Sequence, residues 1–377
     1  IAIANNGSLV NTHALREPLE KQGAIFQTDS DAELIALLIA RARLEAGSVE
    51  QAINRAMNQI EGAYSFVLMS PRKMIAVRDP QGFRPLCIGK MEDSYIFASE
   101  TCALDSLGAE FVRDIEPGEI VVADENGIRS IRDHCGHKSS LCIFEHVYFA
   151  RPDSVIDNAS VHLARQRAGK YLAREYPVEA DLVAGVPDSG LDAAIGYANE
   201  SGIPYARPFI KYTPTWPRSF MPTNQNQRNL IAKMKLIPVR ALIKDKKLLL
   251  IDDSIVRGTQ LRETTEFLYR SGAKEVHVRP ACPPIMYGCK YLNFSRSKSE
   301  MELITRQVIE KREGPNCPQE VLDEYADPHT EKYEQMVQDI CKMQNFTTLR
   351  YHRLDDLLES IGIDPCNICT YCFNGKE

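Results

Sequence analysis

The chain has 377 residues, of which 44% are hydrophobic and 25% charged, and its formal net charge at pH 7 is −6. This length favours two or three domains, and the composition is that of an ordinary globular protein. The net negative charge gives no indication of binding to nucleic acid or to an anionic membrane. No apolar stretch approaches the roughly 18 residues that a membrane span requires.

The first part of the chain, from Ile1 to about Ile143, has the pattern of an α+β domain. Its opening residues, IAIANNGSLVN, carry neither an initiator Met nor a basic-apolar signal pattern, so we expect a cytoplasmic protein whose chain begins inside a domain. The pattern then predicts a short strand, a turn at Asn6 and Gly7, and a helix from Asp31 to Leu44. Further short strands, spaced by Gly and Pro, are predicted at residues 63–70, 74–79, 86–89, 95–99 and 120–124.

From Tyr148 onward helical and strand patterns alternate, which predicts a parallel sheet. Helices are predicted at residues 161–175, 192–201 and 261–271, and strands at residues 181–186, 247–251 and 273–280. The segment between Phe209 and Met234 contains several prolines and little periodicity, so we expect a long loop of the kind that forms functional lids. The tail, residues 299–359, is charged and predicted to be helical.

One strand of this second part ends in the most informative stretch of the chain, LLLIDDSIVRGTQ at residues 248–260. A buried parallel strand would place Asp252 and Asp253 at its C-terminal edge, where open α/β sheets bind ligands. The loop after it can hold a phosphate, because Gly258 allows close approach to an anion and the amides of 256–259 precede a helix. The two carboxylates would face sugar hydroxyls or a hydrated Mg²⁺. The alternative is a solvated Asp-Asp turn.

This stretch resembles the 5-phosphoribosyl-1-pyrophosphate (PRPP) signature of type I phosphoribosyltransferases. The resemblance implies that the acidic pair binds ribose and Mg²⁺ and that the loop residues bind the phosphate. The residues concerned are Asp252, Asp253, Val256, Arg257, Gly258 and Thr259.

Two neighbouring segments resemble other parts of the same family. LVAGVPDSG, residues 182–190, resembles the pyrophosphate loop, where Ser189 could supply a metal contact and Gly190 stands where many relatives carry a second hydroxyl. An ordinary connecting turn is the alternative. KYTPTWPRSFMP, residues 211–222, departs from the usual lid pattern but keeps Lys211 and Arg218. We expect one of these cations to contact phosphate, and the alternative is a solvated surface loop.

The first part resembles the glutaminase domain of the glutamine PRPP amidotransferases, which are N-terminal-nucleophile hydrolases. The matching segments are ANNGSLVN at 4–11, TDSDAE at 28–33, RDPQGFRPLCIG at 78–89, ASETCALD at 98–105 and PGEIV at 117–121. The resemblance implies that the Asn6 side chain and the Gly7 amide form an oxyanion hole and that Asp31 binds the α-amino group of glutamine. A plain Asn-Gly turn and a helix N-cap are the alternatives.

The catalytic cysteine of that family is the first residue of the mature chain, and this chain begins with Ile1. The resemblance therefore implies an N-terminally truncated chain that also lacks the segment carrying the arginine for the glutamine carboxylate. Cys87 and Cys102 are expected to be structural.

Eleven cysteines in a chain of this class, an odd number, argue against a disulfide framework and favour ligation. The segment LCIFEHVYFARPDS, residues 141–154, resembles the join between glutaminase and transferase in these amidotransferases. In their clostridial and bacillus-like branch four cysteines bind a [4Fe-4S] cluster, and the matching positions are Cys142, Cys289, Cys366 and Cys369. Cys372 is a fifth candidate. A structural Zn²⁺ site, a redox dithiol and free buried thiols remain open as alternatives.

The resemblance covers nearly the whole chain. It implies a partial class II glutaminase domain at 1–143, a type I phosphoribosyltransferase domain at 144–298 and a helical C-terminal segment at 299–377. The implied reaction forms 5-phosphoribosylamine, glutamate and pyrophosphate from PRPP, glutamine and water, the first step of purine synthesis, with ammonia passing through an internal channel.

The resemblance also implies feedback inhibition by purine nucleotides and a homotetramer. We expect the chain as it stands to retain ammonia-dependent synthesis. The rivals are a PRPP-binding regulatory protein without catalysis, which should show a DNA-binding module and a basic face, and an enzyme that uses a nucleobase in place of ammonia.

Overall fold

The computed structural model describes residues 1–211, 236–291 and 300–376. These residues divide into two compact units. The first unit comprises Ile1–Val161, Gly288–Lys298 and Gly362–Glu377, and the second comprises His162–Tyr287 and Ser299–Ile361. This division differs from the predicted boundaries after residues 143 and 298, because the last residues of the tail return to the first unit. There Ile368–Cys369 pairs in parallel with Leu141–Cys142.

The first unit contains two larger antiparallel sheets and a two-stranded antiparallel one, as the α+β pattern predicts. Its main strands are β1 (Ala2–Leu9), β2 (Gly62–Met69), β3 (Met74–Arg78), β4 (Cys87–Met91), β5 (Ser94–Ala98), β6 (Glu110–Asp114), β7 (Ile120–Asp124) and β8 (Gly127–Ile131). The larger sheet has the order β1-β2-β3-β7-β8 and the smaller one β5-β4-β6. The helices are α1 (Thr12–Lys21), α2 (Asp31–Ala42), α3 (Val49–Met57) and α4 (Thr101–Leu107).

Smaller elements complete the first unit. They are the strands Leu141–Cys142, Val155–Ile156, Ala159–Ser160 and Ile368–Cys369, the π-helical turn Glu145–Phe149, the 3₁₀ turn Pro365–Asn367 and the helix Tyr371–Asn374. The apolar faces of α2 and α3 pack with β1, β2, β3 and β7 in one core, in which Leu34, Ile53 and Leu68 are fully buried.

The predicted turn at Asn6 and Gly7 is wrong, because β1 continues through both residues. Asn6 is the partner of Ser65 and Gly7 the partner of Tyr64 in the antiparallel ladder with β2. Gly7 has φ +145°, and a Cβ there would lie 2.1 Å from the Ala63 carbonyl oxygen. The glycine is therefore explained by a close approach of two strands, which an Asn-Gly pair does not distinguish from a turn.

The second unit contains the predicted parallel sheet, with strands β9 (Leu182–Gly185), β10 (Lys247–Asp252), β11 (Glu275–Pro280) and β12 (Thr348–Leu349) in that order. Leu248–Ile251 is fully buried, as expected for a central parallel strand with both faces covered. Its helices are α5 (Val161–Glu175), α6 (Leu191–Ser201), α7 (Thr259–Arg270), α8 (Ile304–Glu313), α9 (Gln319–Ala326), α10 (Glu331–Met343) and α11 (Leu354–Ile361). Short 3₁₀ turns lie at Arg240–Leu242 and Glu300–Glu302.

Two features of this unit were not predicted. The tail supplies β12, which extends the parallel sheet beside β11, whereas the pattern predicted only helices there. The start of the expected long loop is a strand, because Phe209–Lys211 pairs antiparallel with Leu236–Pro238. Among residues 1–211, 236–291 and 300–376, no helix combines the length and apolar character needed to cross a membrane.

Candidate functional site

The acidic pair lies where the parallel sheet opens. Asp252 is the last residue of β10, and the Asp253 side chain is buried. The Ser189 hydroxyl donates a hydrogen bond to Asp253 Oδ2, and the Ser254 hydroxyl donates to Asp253 Oδ1 at 2.5 Å. The Asp253 amide donates to Asp252 Oδ1 at 2.9 Å. Asp253 is thus held by two hydroxyls, while Asp252 as a whole residue is half-buried.

Burial raises the pKa of both carboxyl groups, and for Asp252 the charge of Asp253 raises it further. Hydrogen bonds from the Ser189 and Ser254 hydroxyls and, to a smaller extent, the Arg165 guanidinium lower the pKa of Asp253 in partial compensation. Two adjacent carboxylates that repel each other in a buried site fit a hard divalent cation, because its charge removes the repulsion and oxygen atoms are its preferred ligands.

The loop after the pair leads directly into a helix. Gly258 has φ +77°, a conformation that favours glycine, and α7 begins at the next residue, Thr259. Val256 accepts a hydrogen bond at its carbonyl oxygen from the Ile304 amide at 2.8 Å. Arg257 is exposed and forms an ion pair with Glu302. The loop therefore leads into the N-terminus of α7 with the Arg257 charge paired to Glu302, and anion binding by the loop amides stays a prediction.

The turn between β9 and α6 lies against the end of β10. The Val186 amide donates to the Ile251 carbonyl at 2.9 Å, and the peptide bond between Pro187 and Asp188 is cis. A Cβ on Gly190 would lie 2.4 Å from the Ile251 carbonyl oxygen. A hydroxyl side chain does not fit at this position in this chain, which accounts for the departure noted in the sequence.

The structure brings Ser189 into the same site as the acidic pair, but its hydroxyl is bonded to Asp253. The two lid cations are not placed: Arg218 lies outside the described residues, and Lys211 is described only as a backbone position in its strand.

The predicted oxyanion-hole residues lie on β1 in the first unit. Asn6 accepts a hydrogen bond at Oδ1 from Arg84 Nη2 at 3.1 Å. Asp31, at the start of α2, accepts from the Leu9 amide at 2.9 Å through Oδ2 and from the Thr12 hydroxyl at 3.1 Å through Oδ1. The Asp31 carboxylate therefore joins the end of β1 to α2, and its predicted contact with a glutamine amino group stays a prediction.

Sequence reasoning missed Arg84 and Glu145. Their charged groups form an ion pair at 2.6 Å, and only 2% of the Glu145 side chain is exposed. Both residues lie in segments that had been matched to the family, RDPQGFRPLCIG and LCIFEHVYFARPDS. For Glu145 the available signal was a charged residue inside the mainly apolar run LCIFEHVYF, since a buried charge requires a partner, whereas Arg84 follows other polar residues and carries no such signal.

Three of the four predicted cluster cysteines meet in the first unit. Cys142 and Cys369 are partners in the short parallel ladder. Burial raises the pKa of the Cys142 thiol well above its usual range, and among the nearby charges Cys289 and Cys369 raise it further. Cys366 is exposed on the 3₁₀ turn before Cys369. Within the described residues, no group of three or more His, Cys, Asp or Glu side chains is arranged to hold a single metal ion.

Comparison with known proteins gives matches along the whole chain. A family model described as a glutamine amidotransferase domain matches residues 1–106. The amidophosphoribosyltransferase of Bacillus subtilis strain 168 is 40% identical over 380 residues, covering 100% of this chain and 73% of the relative. The amidophosphoribosyltransferase of Archaeoglobus fulgidus is 42% identical over 310 residues, covering 82% of this chain and 68% of the relative.

Two solved structures have the same fold. The glutamine PRPP amidotransferase of B. subtilis, complexed with ADP and GMP, has a TM-score of 0.82 at 38% identity and covers 100% of this chain and 76% of its own. A second structure, described as the allosteric regulatory enzyme of purine biosynthesis, has a TM-score of 0.82 at 39% identity, with coverage of 100% and 75%.

Proposed function

The chain belongs to the amidophosphoribosyltransferase family, enzymes of the first step of purine biosynthesis, and from this premise we propose how its residues perform the reaction. Its second unit binds PRPP and transfers the phosphoribosyl group to ammonia, which yields 5-phosphoribosylamine and pyrophosphate. The observation that carries this assignment is the acidic pair Asp252 and Asp253, held by Ser189 beside the Gly258 loop.

Displacement of pyrophosphate at the anomeric carbon develops positive charge on the ribose ring, as in other glycosyl transfers. Asp252 and Asp253 orient the ribose hydroxyls and stabilise that charge. The amides of Val256, Arg257, Gly258 and Thr259 bind the 5-phosphate at the N-terminus of α7. A Mg²⁺ ion bound by Asp252 and Asp253, with Ser189 nearby, would neutralise the leaving diphosphate. The roles of Lys211 and Arg218 in closing over PRPP remain predictions.

The first unit is proposed to supply ammonia by hydrolysing glutamine to glutamate once it carries the N-terminal cysteine whose thiol makes the attack in this family, a residue that these 377 residues do not include. Asn6 Nδ2 and the Gly7 amide stabilise the oxyanion that forms when the glutamine amide is attacked, and Asp31 recognises the α-amino group. Support for this assignment comes from the matched glutamine amidotransferase domain over residues 1–106 and from the fixed orientation of the Asn6 amide.

Cys142, Cys289, Cys366 and Cys369 are proposed to bind a [4Fe-4S] cluster in the first unit. Three of these thiols are neighbours, and a buried thiol such as that of Cys142 suits a metal that displaces its proton. Cys366 would have to turn inward from its exposed position. A zinc site formed by the same thiols is the alternative that iron and zinc analysis separates.

Purine nucleotides are proposed as feedback inhibitors, since the related B. subtilis structure is a complex with ADP and GMP. A homotetramer and a cytoplasmic location stay predictions.

The test of the transferase assignment uses ammonium chloride in place of glutamine, so that only the second unit is assayed. Wild type should form 5-phosphoribosylamine from PRPP and Mg²⁺, and Asp252→Asn and Asp253→Asn should each abolish this activity. Asp245→Asn, which changes an exposed carboxylate just before the same strand, is the matched control. PRPP binding by calorimetry without turnover would indicate a regulatory protein, and unchanged turnover in both acidic-pair variants would refute the site.

A further inference from the structure

We propose that Arg84 is a positioning residue for glutamine hydrolysis, which orients the Asn6 amide so that its Nδ2 group points to the reacting carbonyl. This inference rests on the oxyanion-hole role proposed above for Asn6. It assigns a purpose to the segment RDPQGFR, residues 78–84, which the proposed reaction does not otherwise use.

The two ends of the Asn6 side chain differ in their hydrogen-bonding character. An asparagine amide has an acceptor oxygen and a donor NH₂ group, and only the donor can stabilise an oxyanion. Arg84 is a donor alone, so its Nη2 contact of 3.1 Å must be made to Asn6 Oδ1. The opposite orientation would place two donors against each other. The guanidinium therefore leaves Asn6 Nδ2 available to donate a hydrogen bond to the oxyanion of the substrate.

Arg84 is itself fixed in place. Its Nη1 lies 2.6 Å from the Glu145 carboxylate, which is 2% exposed, and its guanidinium lies 4.7 Å from the centre of the Phe149 ring. A buried ion pair of this kind is a poor contribution to stability, because desolvation offsets most of the attraction. Its effect is instead to fix the orientation of the Arg84 guanidinium.

The main chain of Arg84 is held just as firmly. Its carbonyl oxygen accepts from the Ser65 hydroxyl at 3.1 Å and from Arg78 Nε at 2.9 Å. Ser65 is the ladder partner of Asn6, so the strand pair that presents Asn6 also holds Arg84. The guanidinium of Arg84 thus contacts β1, and its carbonyl oxygen is held by side chains of β2 and β3 in the same sheet.

The preceding residues of the segment hold the turn. Arg78 is buried and forms a two-pronged ion pair with Asp157, with contacts of 2.9 and 2.8 Å. The Asp79 carboxylate, fully buried, accepts from the Gln81 and Phe83 amides. These hydrogen bonds satisfy backbone amides of the turn before Arg84 without water and so fix the conformation of that turn.

The consequence is kinetic. An interaction that only orients the oxyanion donor acts in the transition state, so its loss lowers kcat for glutamine hydrolysis and leaves KM for glutamine nearly unchanged. Removing an oxyanion donor outright costs about 10²–10³ in kcat, and a misoriented donor should cost at least tenfold.

The experiment uses the enzyme with the N-terminal cysteine nucleophile that glutamine hydrolysis requires. It measures the ratio of glutamine-dependent to ammonia-dependent phosphoribosylamine synthesis, so that a general loss of folded protein affects both activities equally and cancels. In Arg84→Gln this ratio should fall at least tenfold through kcat. In Arg84→Lys, which keeps the positive charge but not the planar set of donors, the ratio should fall by an intermediate factor. Arg113→Gln is the matched control, because it breaks another arginine–glutamate pair of the first unit, that with Glu119. Its ratio should equal that of wild type, and an equal fall in the control and in Arg84→Gln would overturn the proposal.

A double-mutant cycle with Asn6→Ala distinguishes a failure of the positioning role of Arg84 from a failure of the oxyanion-hole role of Asn6. If Arg84 acts through Asn6, adding Arg84→Gln to Asn6→Ala causes no further loss. Full additivity of the two losses would overturn the positioning role while leaving the oxyanion hole intact. Unchanged glutamine hydrolysis in Asn6→Ala alone would instead refute the proposed oxyanion hole.

Discussion

The hydroxyl of Ser189 donates a hydrogen bond to the carboxylate of Asp253, and the two residues lie in the turns that follow neighbouring parallel strands. The bond therefore joins the turn after β9 to the loop after β10. Because Asp253 is buried and its pKa is raised by burial, a hydroxyl donor helps to keep the carboxylate ionised for substrate.

Replacing Ser189 with Ala should weaken PRPP binding without unfolding the protein. A hydrogen bond to a charged group contributes about 1.5–3 kcal/mol, so KM for PRPP should rise roughly tenfold or more in the ammonia-dependent assay. Ser271→Ala, at the end of α7, removes a hydroxyl remote from the acidic pair and serves as the control. If KM for PRPP is the same in Ser189→Ala and in wild type, the bond has no role in the site.

Replacing Gly190 with Ala should destabilise the second unit and abolish PRPP-dependent turnover. The new Cβ would lie 2.4 Å from the Ile251 carbonyl oxygen and 3.0 Å from the Val186 amide nitrogen, and neither backbone atom can move without shifting β10 or the pyrophosphate loop. We expect the free energy of unfolding to fall by about 3 kcal/mol, the upper end of overpacking costs.

Gly202→Ala is the comparison for this variant. Gly190 precedes α6 and Gly202 follows it. Gly202 has φ +75°, but a Cβ there would meet no atom within 4 Å, so alanine should cost only about 1 kcal/mol of backbone strain. Urea denaturation of both variants measures the difference, and equal costs would show that the close approach at Gly190 is relieved by local movement.

The sequence predicted much of this fold for identifiable reasons. The continuous apolar run Leu248–Ile251 predicted a buried parallel strand with Asp252 and Asp253 at its C-terminal end, because both follow from local pattern, and the structure has this arrangement. The turn expected at Asn6 and Gly7 was wrong, since close strand contact and turn formation require the same residue type.

Other features depend on pairings between distant segments, which local periodicity does not contain. The return of the tail to pair Cys369 with Cys142 is one such feature, and the addition of Thr348–Leu349 to the parallel sheet is another. The contact of Arg84 with Asn6 joins residues 78 positions apart and has no local signal either. Such contacts were accessible only through the family resemblance or through the structure itself.

Replacing Cys142 with Ser should prevent binding of the proposed [4Fe-4S] cluster. A buried position beside two other thiols cannot exchange a sulfur ligand for a hydroxyl without losing affinity for iron, since Fe–S clusters are held by thiolates. We expect absorbance near 400 nm and stoichiometric iron in anaerobically purified wild type, and loss of both in the variant. Cys317→Ser, a cysteine outside this group, should retain them. Zinc without iron in wild type would contradict the cluster assignment.

The carboxyl group of Glu145 should make the stability of the first unit depend on pH between about 4.5 and 7. Burial raises its pKa from 4.5 to about 7, and although the nearby Arg84 and Arg78 charges lower it, Glu100 acts in the same direction as burial. A carboxyl group with a raised pKa in the folded state contributes stability that is complete below the unfolded value and is lost as pH rises through the folded value. The free energy of unfolding should therefore fall with rising pH across this interval, by on the order of 3 kcal/mol from this group.

Glu145→Gln removes the titrating group, so its pH profile should be flatter than that of wild type by this amount. Urea denaturation at half-unit steps from pH 4.5 to 8 measures the two slopes. Glu119→Gln is the control, because burial raises the pKa of Glu119 but hydrogen bonds from Arg113 and Ser130 lower it overall, so this group stays ionised throughout the interval. The Glu119→Gln profile should run parallel to that of wild type between pH 5 and 8. A Glu145→Gln profile that is also parallel to wild type would show that the Arg84 charge keeps Glu145 ionised in the folded protein, and the pair would then hold Asn6 equally well at acid and neutral pH.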